Sequence, residues 1–201
     1  MDYKRLLEIE KPYFSHEDVA GLLAIKKESA AVLCTRYVMK GLLTRLKRDL
    51  YVRTETLAHL ATTDLYRIAN LLQVPSYVSL MTALSYYGIS TQVQRGFVEN
   101  VSIKRTKAFT RGGIAFRFFK VSAALYGGFV KDQGAFIASP EKALLDSIYL
   151  ASMGRYALDV ASLDLSKLDR KRLIHLAANH PSKTQSFLER LYEENGRSRE
   201  L

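Results

Sequence analysis

Cys34 is the only cysteine in 201 residues, so the chain forms no internal disulfide. Such sparing use of thiols fits a reducing compartment, and the cytoplasm is the expected location. No window approaches about 18 uncharged apolar residues, which argues against a membrane-spanning helix. The opening MDYKRLLEIEKPYF mixes acids with bases and has no apolar run, so a secretory signal is not expected. Motifs that carry chemistry are equally scarce. Asp-x-Asp, the metal pair of a nucleotidyltransferase, is absent, and so is a Gly-x-Ser-x-Gly elbow. Glu141 and Asp146 lie about 140° apart around a helix and do not share a face. The histidines, His16, His59, His175 and His180, are scattered, and the last two are wrongly spaced for two ligands on one helical face. Gly112-Gly113 and Gly127-Gly128 lack the flanking Lys-Ser/Thr of a phosphate-binding loop. No catalytic residue, metal site or cofactor is expected, and a nuclease stands only as a rival reading.

Acidic residues are missing most conspicuously from 100–131, which holds seven bases and no acid. Residues 1–53 carry eleven bases and seven acids, 54–99 carry two and three, and 132–201 carry ten of each. The net charge of +10 therefore sits in two stretches, both reading as short strands or hairpins. Charge so concentrated points to a polyanion, although a solubility device would also produce it.

The first stretch reads as three short helices and a hairpin. Tyr3, Leu6 and Leu7 space a helix over 2–10 that Pro12 ends. Ser15 and Asp18 make a capping box for a second helix over 16–24, with Phe14 placed to staple against Val19. Ser29 is the expected cap of a third helix running to Lys40, with Gly41 as its left-handed stop. On that helix Ala30, Ala31, Cys34, Tyr37 and Val38 form the inward side. Ser29, Val32, Thr35, Arg36, Met39 and Lys40 form the other. Such an outer face suits a major groove, with Arg for guanine or phosphate and Thr and Val for thymine methyls. An ordinary amphipathic surface helix fits it too. The runs 42–46 and 50–53, joined by Lys47-Arg48-Asp49, then make a basic hairpin. Three helices followed by such a hairpin describe a winged helix-turn-helix, its third helix in the groove and its wing along the phosphates. Candidate DNA-binding residues are Lys26, Lys27, Ser29, Val32, Thr35, Arg36, Lys40, Arg45, Lys47, Arg48 and Arg53. Lys104, Arg105, Lys107, Arg111, Arg117 and Lys120 form a second basic surface for DNA, an acidic partner or tRNA. Cys34, on the inward side, is expected to pack rather than react.

Beyond residue 54 the pattern predicts a connector with a helix capped by Thr63, then an apolar helix over 77–87 stopped by Gly88. Ser76, Ser79, Thr82 and Ser85 form a polar strip or pack as small residues. Tyr86-Tyr87 stack on a base or fill a core. Strands are expected at 97–105, 115–121, 125–131 and 135–138, with Phe116 and Phe118 inward and Arg117 outward. Ser139 and Pro140 open a helix over 141–152, where Lys142 and Asp146 are spaced to pair on the surface. Helices over 168–178 and 183–194 and a frayed tail over 196–201 complete the reading. The expected class is α+β: a winged helix-turn-helix over 1–54, a connector helix over 55–74, and over 75–201 a mixed α/β domain with a small, mainly antiparallel sheet.

Three stretches resemble one family. KGLLTRLKRDLY (40–51) is similar to the wing of the AbiEi-type antitoxins, described as predicted transcriptional regulators of viral defence. PSYVSL (75–80), with Ala83-Leu84 and Tyr87-Gly88-Ile89, resembles a second family segment, and ASPEKALLD (138–146) a third. Together they span nearly the whole chain. One departure is Asp49, where the family's wing turn usually has glycine. The resemblance implies an autorepressor that binds inverted repeats in double-stranded operator DNA. It also implies an antitoxin of a type IV toxin–antitoxin operon. The cognate nucleotidyltransferase-like toxin is then countered without a stable complex. A stand-alone winged-helix transcription factor, with a ligand-sensing or dimerising C-terminal domain, is the alternative.

Overall fold

The computed structural model describes residues 3–92 and 96–197, and its first turn is tighter than periodicity predicts. Tyr3–Glu8 is a 3-10 helix rather than an α-helix over 2–10, with Leu6 its buried residue. Helix α1 (His16–Leu23) starts at the expected capping box: the Ser15 hydroxyl accepts from the Asp18 N–H, and the Asp18 carboxylate accepts from the Ser15 N–H at 2.8 Å. Phe14 and Val19 lie in one core, as a staple requires. Helix α2 (Lys27–Met39) begins earlier than expected, because Lys26 is already the extended N-cap and its carbonyl accepts from the Ala30 N–H at 3.0 Å. Ser29 is thus an exposed first-turn residue, not the cap. The end of α2 matches expectation. Gly41 takes φ +72°, the Leu42 N–H donates to Tyr37 and the Gly41 N–H to Val38, each at 3.0 Å, closing a Schellman motif.

Strands β1 (Leu43–Lys47) and β2 (Leu50–Arg53) form a small antiparallel sheet turning at Arg48-Asp49. Phe14 extends it by exchanging two 2.9 Å backbone hydrogen bonds with Tyr51. This hairpin is a wall between two cores. Leu43 and Tyr51 face the N-terminal core with Phe14, Val19, Cys34 and Tyr37. Leu46, Leu50 and Val52 face the larger core, so alternation along β2 serves both sides.

The short α3 (Thr54–Leu57) leads to α4 (Thr62–Leu72), whose N-cap is Ala61 without a side-chain bond; Thr63 does not cap it. Tyr66, Ile68 and Ala69 of α4 enter the larger core. The apolar run 77–87 is not one helix. It divides into strand β3 (Ser76–Val78) and helix α5 (Leu80–Tyr86), which ends before Gly88 at φ +66°. A continuous apolar run suits a strand buried on both faces as well as a buried helix, and here the strand claims its first residues.

The remaining strands are β4 (Phe97–Ser102), β5 (Lys107–Arg111), β6 (Ile114–Lys120), β7 (Phe129–Asp132) and β8 (Ala135–Ala138). The larger sheet runs β5-β6-β4-β3-β8-β7. Its β4–β6 and β3–β8 pairings are parallel and the other three antiparallel, so it is a mixed sheet, mainly antiparallel as expected but six-stranded rather than small. The expected strand over 125–131 is shorter, since 123–125 form a 3-10 turn, and β5 is a polar edge strand that apolar patterning does not reveal. Phe116 and Phe118 are buried while Arg117 is exposed, as alternation predicts. Helix α6 (Pro140–Ser152) begins as expected, Ser139 accepting from the Lys142 N–H with Pro140 in the first turn. Helices α7 (Arg170–Ala177) and α8 (Ser182–Arg197) pack on α6. The expected tail begins later than 196, because α8 runs to Arg197; 198–201 lie outside the described residues. Among the described residues no helix is long and apolar enough to cross a membrane.

Candidate functional site

Helix α2 sorts its residues as 3.6-residue periodicity requires. Ala30, Cys34 and Tyr37 are buried as expected, Leu33 is buried in addition, and Ala31 and Val38 are only half-buried, whereas Ser29, Val32, Thr35, Arg36, Met39 and Lys40 are all exposed. Val32 and Met39 keep 61% and 85% of their surface, high values for apolar side chains. The Thr35 hydroxyl donates to the Ala31 carbonyl at 2.9 Å, so what it offers outward is an acceptor oxygen and a methyl group. Burial pushes the Cys34 thiol up to about 11, which marks it as a packed residue.

The basic residues around α2 are not equally free. Lys26 is exposed, but Lys27 pairs with Glu17 at 2.5 Å. On the hairpin, Lys47 donates to the Leu71 carbonyl at 2.6 Å, tying β1 to the end of α4. Arg53 reaches the Leu7 carbonyl at 3.2 Å, and Arg45 folds back to the Lys47 carbonyl at 3.3 Å. Arg48 is exposed at the turn. Its neighbour Asp49, at φ +56°, points its carboxylate back to α1. It accepts from the His16 N–H at 2.7 Å and lies 3.1 Å from His16 Nδ1, and His16 Nε2 meets the Tyr51 hydroxyl at 2.8 Å. An acid at this turn therefore faces a helix N-terminus, where negative charge is favourable.

The second basic stretch is split by its own register. Lys107 and Arg111 pair across from Phe118 and Ile114, whereas Arg117 pairs with Ala108 and belongs to the opposite face. There it lies 3.9 Å from the buried Glu99 and over the Phe97 ring. Lys104 and Arg105 are exposed between β4 and β5, Lys120 is exposed at the end of β6, and Lys131 lies on β7 at the far edge of the sheet. Arg111 joins the two stretches, since its Nε donates to the Leu46 carbonyl of the hairpin at 3.2 Å. Arg155, which sequence reasoning passed over, adds a guanidinium beside this edge, donating to the Lys120 carbonyl at 2.9 Å.

Lys142 and Asp146 pair, but not on the surface. Their side chains keep 4% and 1% exposure, and Asp146 also accepts from Tyr77 and Ser79 at 3.0 and 2.8 Å. The sequence held a partial signal for this, since α6 is largely apolar around these groups, although Glu141, Ser147 and Ser152 are buried with them. Of the serine strip, Ser76, Ser79 and Thr82 are buried, and Thr82 accepts from the Glu99 N–H at 3.0 Å. Tyr86 and Tyr87 are half-buried against each other and the larger core. Among the described residues no three His, Cys, Asp or Glu side chains gather as a metal set.

No family model matches the chain, and no curated protein matches it. Among solved structures it is similar to the crystal structure of the RV2827C protein from Mycobacterium tuberculosis, with 12% identity and a TM-score of 0.65. The match covers 96% of this chain and 75% of that one. The likeness is one of fold.

Proposed function

We propose that the chain is a sequence-specific DNA-binding repressor that also serves as the antitoxin of a type IV toxin–antitoxin operon in the cytoplasm. The observation that carries the DNA reading is the outer face of α2, exposed along its length and mixing Arg36, Thr35 and Lys40 with the apolar Val32 and Met39. In this reading residues 1–54 are a winged helix-turn-helix and α2 enters the major groove. Arg36 donates to a guanine edge and the Thr35 and Val32 methyl groups meet thymine. Lys26, Lys40 and Arg48 neutralise phosphates, while Lys27, Arg45, Lys47 and Arg53 contribute only by giving up their internal partners. Arg111 and Lys107 continue the basic surface beyond the hairpin.

The antitoxin role rests on the resemblance of the three stretches to the AbiEi-type family. Two of them, 75–80 and 138–146, meet at Asp146. The partner is then a nucleotidyltransferase-like toxin that need not form a stable complex, and the chain itself is not an enzyme.

Two experiments test the halves separately. Anisotropy titrations with DNA from upstream of the chain's own gene, against a scrambled duplex, are expected to show preference and a steep salt dependence. Equal binding to both duplexes refutes sequence-specific repression. Co-expression with the adjacent reading frame is expected to rescue growth; growth arrest despite co-expression refutes the antitoxin role.

A further inference from the structure

A cavity of about 420 Å³ opens between the end of α4 and the β7–β8 edge of the larger sheet. Its wall includes Tyr13, which packs on the larger core, together with Arg67 and Leu71 of α4 and the rings of Tyr126, Phe129 and Phe136. The volume is in the range of small-molecule sites. The rings support one another: Phe129 stacks on Tyr77 at 4.7 Å between centroids and meets Tyr126 and Phe136 edge-on at 5.4 and 5.7 Å. Such a wall is rigid and offers flat faces to a ring.

One polar group gives the cavity direction. Arg67 is held in place, Nε donating to the Gln133 carbonyl at 2.6 Å and Nη1 to Asp64 at 2.8 Å, which leaves Nη2 to meet an anion. Gly134 makes room for it: a Cβ there would come within 3.0 Å of Arg67 Nε. Ser76, also on the wall and only 4% exposed, has a buried hydroxyl with no hydrogen-bond partner among the described residues. That oxygen has no surface open to the cavity, so it lies behind the wall and takes no part in holding an occupant. The charge of +10 on the whole chain favours an anion over a cation.

We propose that this cavity is a binding site for a small aromatic carboxylate, its ring between the aromatic walls and its carboxylate on Arg67. The inference is independent of the DNA reading, and its test contains no nucleic acid.

The test is calorimetric titration of the full chain with 1-naphthoate and with 1-naphthylmethylammonium, which carries the same ring and the opposite charge. Saturable binding of naphthoate below about 1 mM is expected, with the cation at least tenfold weaker, about the ratio one well-placed charge supplies. Arg67→Gln should remove that preference, and Phe136→Ala should weaken naphthoate about tenfold. NMR on the unsubstituted chain locates the site without any variant, the expected amide shifts falling in 67–76 and 126–136. Absence of saturable binding, equal affinity for the cation, or shifts centred elsewhere overturns the proposal.

Discussion

The Ser79 hydroxyl donates to the carboxylate of Asp146 at 2.8 Å, across 67 positions of the chain. The same oxygen accepts from Tyr77, and the other oxygen takes the Lys142 ammonium, all within the larger core. A carboxylate so buried is stable only because every partner is present. Asp146→Ala should therefore destabilise the protein by about 3–5 kcal/mol, since it strands the Lys142 charge. The double variant Lys142→Met/Asp146→Leu should recover most of that loss. Urea unfolding of both decides it, and a double variant no better than the single one would contradict this account.

Asp49 holds the hairpin turn against the start of α1 through His16. Asp49→Ala should cost about 0.5–2 kcal/mol, the scale of a lost helix cap. Asp49→Gly should cost less, because glycine adopts φ +56° without strain. Thermal melts compare the two; an unchanged midpoint for Asp49→Ala would show that the tie contributes nothing.

If α2 reads DNA as proposed, Arg36 should serve reading and Arg48 gripping. Arg36→Ala should weaken specific duplex by about 1–3 kcal/mol and random duplex little. Arg48→Ala should weaken both alike and lower the salt slope by about one. Lys47→Ala has a further effect, a lower melting temperature, because it also releases the Leu71 carbonyl. Anisotropy titrations on both duplexes at two salt concentrations measure all three, and an equal loss on both duplexes for Arg36→Ala removes its assigned role.

Burial, helped by the nearby Lys142 charge, holds the His180 imidazole below its ordinary value of 6.5. A depressed value means that the unfolded chain takes the proton first as pH falls. The contribution is complete above 6.5 and is lost as the solution is acidified through the lower folded value. Stability should thus fall as pH drops below about 6.5, and His180→Leu should flatten that slope. Melting curves across the range test it, a parallel slope in the variant counting against His180.

The Cys34 thiol, raised by burial from 9.0 to about 11, should resist Ellman's reagent in the folded protein and react fully in denaturant. A raised value gives the opposite sign to His180: the contribution is present below about 9 and is lost as pH climbs toward 11. Fast labelling of the native protein would place Cys34 outside the core.

Some of this molecule could be read residue by residue. The Ser15–Asp18 box, the Gly41 stop, the Ser139-Pro140 start and the two faces of α2 depend on neighbours within a turn of chain, and they appear as periodicity and capping predict. Local rules misplaced the start of α2, where a serine preferred at caps lies three residues beyond the actual one. They also made one helix of 77–87, because an apolar run carries no mark of whether neighbouring strands will flank it.

The amino-acid order alone determined which segments carry positive charge and which helix face is polar, since both follow from short-range spacing. Tertiary structure alone decided that β3 lies between an antiparallel and a parallel partner, that the hairpin walls two cores, and that Lys142 and Asp146 pair away from water. An i,i+4 spacing sets the distance between two charges; only the elements packed around them set the dielectric in which they meet.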